Sequence, residues 1–265
     1  MEPRIVGIMM AKDEADIIPD VIANLSGAID MLYYHAGDAE TARAIDTTSR
    51  SGWARKVLMP AGAPHADGLR QYLLEQARRD AVTDGDTRPM WVMVVQGDEI
   101  YHDDLRAHVL YAHQIGATMM TCQVATFLLH ESQRDGWNWQ LPLEKRLTHY
   151  IWDFGEHTGF LDAPRRYYDP SEHMRAHPRG DSPDEVWSPA RPVRKHYPFR
   201  SPEQAAKRLA DRLRSTEQRP AGWQPHYKNY AHIFMGDVAA DRPVQRYSGA
   251  FPEAYHHEDF WMRMK

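Results

Sequence analysis

The run Val94-Val95-Gln96-Gly97-Asp98-Glu99 delivers two adjacent carboxylates from an apolar segment through a glycine. Carboxylates in that setting can hold a divalent cation that binds phosphate oxygens in turn, because Mg²⁺ and Mn²⁺ prefer oxygen ligands. Taken alone, the spacing also fits an acidic turn in which Asp98 caps and Glu99 is solvated. Lys12-Asp13-Glu14 and Asp38 follow two other apolar segments. From the second half of the chain, His196 in RKHYPFRSPEQ can offer a neutral imidazole to a metal, or simply pack beside Tyr197 and Pro198. The HHED run (His256, His257, Glu258, Asp259) matches no standard zinc spacing and reads as a polar tail.

These groups need elements to bring them together. RIVGIMM (4–10), AIDMLYYHA (28–36), WARKVLMP (53–60) and MWVMVVQ (90–96) read as strands; the last is continuously apolar, as a strand covered on both faces should be. Between them, 14–28, 40–49 and 67–82 have helical spacing, with Leu69, Leu73, Leu74 and Ala77 on one face of the third. Asp13 is available as N-cap of the first, and Pro19 falls early enough in it to kink it. Residues 102–114 read as a further helix and 117–130 as one long strand or two. Alternation of this kind predicts an α/β domain with a mainly parallel sheet. In such sheets ligands bind at the carboxyl ends of the strands, where Lys12-Asp13-Glu14, Asp38 and Gln96–Glu99 fall, while the third strand leads to the loop before Asp67.

Beyond residue 130 the pattern is irregular, with seven Pro between 160 and 200. Ser201, Pro202 and Gln204 make a good helix start for 201–215, as N-cap, first helical residue and capping box. The chain has no GxGxxG after its first strand, no GxxxxGK[ST] and no G-x-S-x-G, which argues against dinucleotide dehydrogenases, P-loop NTPases and ordinary α/β-hydrolases.

The composition is that of a soluble globular protein: 265 residues, 42% hydrophobic and 26% charged. A single cysteine, Cys122, excludes an internal disulfide framework and a Cys-rich zinc site, and suggests a reducing, cytoplasmic compartment. No membrane span or signal peptide is expected. The net charge of −5 argues against a general polyanion binder. It is unevenly spread, with 12 Lys+Arg against 20 Asp+Glu over residues 1–139 and 16 against 12 over 140–230.

Together the segments resemble the family 2-like glycosyltransferases. AKDEADIIPDVIANL is similar to the family's opening K-N/D-E segment and helix, YYHAGDAETARAI to its second-strand loop, and GLRQYLLEQAR to its G-x-x-R-N helix. WVMVVQGDEIYHDDL resembles the D-x-D-E segment, and RKHYPFRSPEQAAKRL a later H-Y-x-x-R-S-x-E-Q segment. The resemblance covers 1–115 and 190–215. It implies an α/β GT-A (Rossmann-like) nucleotide-diphospho-sugar transferase fold, with a mainly parallel central sheet and an irregular C-terminal acceptor region. The whole chain would be one GT-A domain: a nucleotide-sugar half (1–115), an acceptor and catalytic half (116–217) and an aromatic, His-rich extension (218–265).

The same resemblance implies a nucleotide-sugar donor, UDP-sugar favoured, and a divalent cation, Mn²⁺ or Mg²⁺. Lys12, Asp13, Glu14 and Asp38 would lie along the base and ribose, with Arg70, Gln71, Gln96, Gly97 and Glu99 near the donor. Asp98 would bind metal and diphosphate, with His196 as a further metal ligand. Gln96 replaces the first acid of D-x-D, so metal binding would rest on fewer carboxylates, and the second-strand loop lacks the usual Ser and Gly. An inverting member also needs a base for the acceptor hydroxyl; Asp184, Glu185, Glu131 and Asp135 are the candidates, spacing favouring Asp184 or Glu185.

Acceptor contacts are expected from Trp137, Trp139, Arg194, Lys195 and Arg200. The basic stretch 191–214 is either a solvated surface or a contact for a polyanion. A saccharide or a hydroxymethylated base in DNA both suit it, the latter with base flipping. No obligate protein partner is evident. Two other classes remain open: a Rossmann-like methyltransferase or metal-dependent hydrolase, and a non-catalytic nucleotide-binding module.

Overall fold

The computed structural model describes residues 1–59, 70–128, 139–140, 150–153, 159–160, 178–179, 186, 188–200, 204 and 207. Two compact units interleave along the chain. The first takes Met1–Gln123 and Lys145–Arg194, the second Val124–Glu144 and Lys195–Lys265.

The first unit is an α/β domain built on β1 (Arg4–Ala11), β2 (Met31–Ala36), β3 (Ala54–Lys56) and β4 (Met90–Gln96), all parallel. β1 is buried along all eight residues, because it lies between β2 and β4 with both faces covered. Its apolar run extends past that of an amphipathic strand for this reason. The sheet continues from β4 through β9 (Tyr150–Asp153), antiparallel to it, and β6 (Met119–Thr121), antiparallel to β9, giving the order β3-β2-β1-β4-β9-β6.

Crossovers are supplied by α1 (Ile18–Leu25), α2 (Ala39–Thr48) and α3 (Arg70–Thr83). On α3, Leu73, Leu74 and Ala77 pack on Val6, Ile8 and Met10 of β1 and Val92 and Val94 of β4. At about 25 cal/mol per Å² of apolar surface, burial of this kind is the main favourable contribution to such a core. Leu73, Leu74 and Ala77 of the apolar face read from the spacing thus pack, while Leu69 lies outside the described residues.

The helix starts differ in part from expectation. α1 begins at Ile18 with no side-chain cap, and Asp13 instead adopts a left-handed conformation, φ 58°, outside the helix. Pro19 sits in the first turn of α1, where its missing N–H costs no intrahelical bond, so it starts the helix rather than bending it. α2 is capped by Asp38, whose side chain accepts from Thr41 N–H. α4 (Leu105–Gln114) is capped likewise by Asp104. β5 (Glu99–Tyr101) follows β4 after two residues.

Residues 117–130 form two strands, β6 and β7 (Gln123–Leu128). Short strands β8 (Trp139–Gln140), β10 (Gly159–Phe160) and β11 (Pro178–Arg179) follow, with β10 and β11 antiparallel. β12 (Val193–Phe199) begins in the first unit, beside β5, and continues in the second, where the strand order is β12-β7-β8. Among the described residues no helix is long and apolar enough to cross a membrane.

Candidate active site at the carboxyl ends of the parallel strands

In the order β3-β2-β1-β4, successive strands are added on one side of β1 and then on the other, so the sheet reverses direction between β1 and β4. In open α/β sheets such a reversal is where ligands bind, and here the connections that leave β1 and β4 meet: Tyr101 N–H of β5 donates to Asn24 Oδ1 of α1 at 2.8 Å, and Asn24 Nδ2 to the Tyr101 carbonyl at 2.9 Å. The segments that occupy those ends are Lys12-Asp13-Glu14 after β1 and Gln96-Gly97-Asp98-Glu99 after β4.

Backbone and side-chain bonds tie the first of these to the end of β2. Gly37 N–H donates to the Ala11 carbonyl at 2.8 Å. Asp13 N–H donates to Asp38 Oδ2 at 2.7 Å, and Glu14 N–H to Thr41 Oγ1 at 3.1 Å. Asp38 Oδ1 accepts from Thr41 N–H at 2.8 Å, so one carboxylate both caps α2 and holds the Asp13 turn. The left-handed Asp13 is the conformation that points its N–H at Asp38; Asp tolerates it better than most side chains. Partial burial pushes the Asp38 carboxyl up, but the N–H groups of Thr41 and Asp13 outweigh it and hold it below the ordinary range. Asp38 is therefore an anion at neutral pH, already engaged by the protein.

The second segment meets the first through Gly97. A Cβ on Gly97 would overlap Glu14 Oε2, and would stand 3.0 Å from Glu14 Cδ and 3.1 Å from the Ala11 Cβ. The Glu14 side chain, 5% exposed, thus fills the space a larger residue would need. Asp98 is 2% exposed. Arg70, at the start of α3 and also buried, donates from Nη2 to Gln96 Oε1 at 2.9 Å. Gln71 is the next residue of α3. Lys12 is exposed, its Nζ 4.0 Å from Asp13 Oδ2.

Glu99 faces the fully buried Arg194, with Oε2 2.9 Å from Nη1. Arg194 was expected among surface contacts for an acceptor; its guanidinium is enclosed instead, because an Arg this deep needs a carboxylate beside it. In the second unit, His196 and Lys195 are half-buried on β12, and desolvation holds the Lys195 ammonium below its usual range. Arg200 is buried there, donating from Nη1 to the Tyr197 carbonyl at 2.8 Å, while its N–H donates to Gln204 Oε1 at 3.1 Å. Gln204 thus serves one residue earlier than the capping box at Ser201 expects.

Glu131, Asp135, Trp137, Asp184, Glu185 and the 256–259 run lie outside the described residues, and of Trp139 only its place in β8 is described. Thr41 was missed by sequence reading. The Asp38-x-x-Thr41 spacing of a capped helix could have flagged its N–H, but the hydroxyl's contact with Glu14 depends on the packing of two loops.

A divalent cation is the group this arrangement would be asked to hold. Among the described residues no group of three or more His, Cys, Asp or Glu is placed to bind one. What the strand ends offer is the carboxylate of Asp98, with Glu14 across Gly97. That suits the mode in which Mg²⁺ takes one or two carboxylates and completes its shell with water and substrate phosphates. It does not suit a preformed, all-protein site.

No family model and no curated protein matches the chain. Solved structures that share part of its course include a protein assigned as a glucose-1-phosphate thymidylyltransferase from Bacillus anthracis, at 13% identity and TM-score 0.38, covering 72% of this chain and 89% of that one. The 4-diphosphocytidyl-2C-methyl-D-erythritol synthase of Anaerococcus prevotii has the same identity and score, over 74% and 90%. Mannosyl-3-phosphoglycerate synthase of Rubrobacter xylanophilus gives 13% and 0.33, over 57% of this chain and 53% of that one. Likeness at this distance transfers neither an activity nor a residue role. The described topology alone makes the first unit an α/β domain with a four-stranded parallel core and polar groups gathered where its strand order reverses.

Proposed function

We propose that the chain is a metal-dependent, inverting glycosyltransferase of the GT-A type. It would move a sugar from a nucleoside-diphosphate sugar, UDP-sugar by preference, to an acceptor hydroxyl. The observation that carries this reading is the meeting of Glu14, Gly97 and Asp98 at the reversal of the strand order, with Arg70 held on Gln96 beside them. Such a reversal suits a nucleotide.

In this reading Asp13, Glu14 and Asp38 line the base and ribose, with Lys12 exposed at the rim. Arg70 supplies a fixed positive charge toward the diphosphate, with Gln71 beside it. Asp98 would hold a Mn²⁺ or Mg²⁺ ion, with His196 as a further ligand. The ion would neutralise charge on the departing diphosphate. The acceptor oxygen forms its bond to the anomeric carbon as the bond to the diphosphate oxygen breaks. The hydroxyl proton passes to a carboxylate on the far side of the sugar, for which Asp184, Glu185 and Glu131 are the candidates. Trp137, Trp139, Lys195 and Arg200 would meet an acceptor, either a saccharide or a hydroxymethylated base in DNA.

The test is a screen of nucleotide sugars for acceptor-free hydrolysis, read as released nucleotide, alongside calorimetry with nucleoside diphosphates with and without Mn²⁺. Metal-enhanced binding and slow release are expected, both lost in Asp98→Ala. Binding without any turnover would point to a nucleotide-binding module, and no binding at millimolar nucleotide would defeat the reading.

A further inference from the structure

Arg194 is a buried charge that none of the steps above uses. Its guanidinium is 0% exposed and lies 2.9 Å from the buried Glu99 carboxylate. The Tyr101 hydroxyl, two residues along β5, hydrogen-bonds within the same group, which also includes the buried Cys122 thiol. The backbone that carries Arg194 is fixed. Val193 N–H donates to Asp103 Oδ2 at 2.7 Å, and the Val193 carbonyl accepts from His102 N–H at 2.8 Å. Asp103 in turn lies 3.8 Å from His108 Nε2 on α4.

Removing two charges from water is expensive, and a well-packed apolar pair of similar volume is often at least as stable as the ion pair it replaces. Stability alone is a poor account of Glu99 and Arg194. Their place in the chain is a better one. β4 ends at Gln96 and β5 begins at Glu99, so Gly97 and Asp98 are the whole link between two strands. The central sheet fixes the Gln96 end. The Glu99 end stands 2.9 Å from the Arg194 guanidinium in a buried site, where the attraction between opposite charges is little screened.

We propose that Arg194 is a positioning residue. Acting through Glu99, it holds the Gly97–Asp98 link and so sets where the Asp98 carboxylate stands. The proposal rests on the reading above for what Asp98 then meets, but the positioning itself can be measured without any ligand.

The experiment compares wild type with Arg194→Lys, Arg194→Met and the paired Glu99→Met/Arg194→Met protein, by amide hydrogen exchange, thermal melting and titration with UDP plus Mn²⁺. The paired replacement is expected to melt near wild type. Its amides at positions 98 and 99 should exchange at least tenfold faster while β1 and β4 stay protected, and it should bind UDP–Mn²⁺ at least tenfold more weakly. Arg194→Lys, which keeps a charge but carries it on a shorter side chain, should move the same readouts in the same direction by a smaller factor, and decides the matter if the Met variants do not fold. Unchanged exchange at 98–99 in Arg194→Lys, or acceleration spread evenly over the unit, would overturn the positioning role. If wild type itself binds no UDP, GDP, CDP or dTDP, the transferase reading fails and the exchange data still judge Arg194.

Discussion

The Glu14 carboxylate rests against the α-carbon of Gly97, where any side chain on residue 97 would have to stand. Two strands that are neighbours in the sheet thereby join their loops through a glycine. The atom in the way is the far end of a flexible side chain, so Gly97→Ala should displace Glu14 rather than unfold the domain. We expect a stability loss of about 1–3 kcal/mol, in the range of other overpacked sites. Nucleoside-diphosphate binding, followed by calorimetry, should weaken at least tenfold. Wild-type affinity in a folded Gly97→Ala protein would remove Glu14 from the site.

Arg70 and Gln96 make a second such connection, from α3 to the end of β4. Gln96→Leu removes the acceptor at 2.9 Å while keeping roughly the same bulk, and Arg70→Met removes the charge. Both variants should bind nucleoside diphosphate more weakly, Arg70→Met by at least tenfold and Gln96→Leu by several-fold. Binding of the uncharged nucleoside should change little in either. Equal losses for nucleoside and diphosphate would mean that Arg70 acts on the fold and not on phosphate.

Asp38 predicts a pH dependence. Its folded carboxyl is held below the ordinary value of 3.8 by N–H donors. The unfolded chain therefore takes up the proton first as pH falls, and the stabilisation is fully present above the ordinary value and lost as pH drops through the lowered one. Asp38→Ala should cost about 1 kcal/mol at pH 7 through the lost cap alone. Melting curves of wild type and Asp38→Ala should approach each other as pH falls below the ordinary carboxylate value of about 4. A constant gap across that range would show that the charge contributes nothing.

Cys122 offers a simple check on the packing around Arg194. Burial pushes its thiol up to about 11. At pH 8 roughly one molecule in a thousand would carry the thiolate that reacts. Native protein should resist a thiol reagent for hours and react fully once denatured in guanidinium. Prompt stoichiometric labelling of the native state would contradict the enclosed cluster of Tyr101, Cys122, Glu99 and Arg194.

Much of the parallel core was legible because its determinants are local. The apolar runs of β1 and β4 and the spacing of Leu73, Leu74 and Ala77 specify elements without help from the rest of the chain. The general rule that ligands sit at strand ends then gathers Glu14, Asp38, Gln96 and Asp98 from sequence alone. What escaped depends on distant partners. Asp13 reads as a cap because caps are judged by local spacing, whereas its conformation is set by Asp38, on another loop. β9 is four residues long and finds its identity only by pairing with β4 and β6. Arg194 sits in a basic stretch that looks solvated until the carboxylate that encloses it, far away in sequence, is known.

The central position of β1 has a consequence for the chain as it is made. β1 pairs with β2 along one edge and with β4 along the other, from Arg4 opposite Met90 to Met10 opposite Gln96. Until residue 90 has emerged, a strand that is apolar from Ile5 to Ala11 presents one row of unclosed N–H and C=O groups, a template for foreign strands. At roughly 5–20 residues per second, that interval lasts seconds. A fragment stopping at residue 89 should therefore clump where a longer one dissolves. Docking of β4 both seals this edge and carries Gln96–Glu99 to Lys12–Glu14, so the nascent chain loses its stickiest surface in the same event that brings these two segments together.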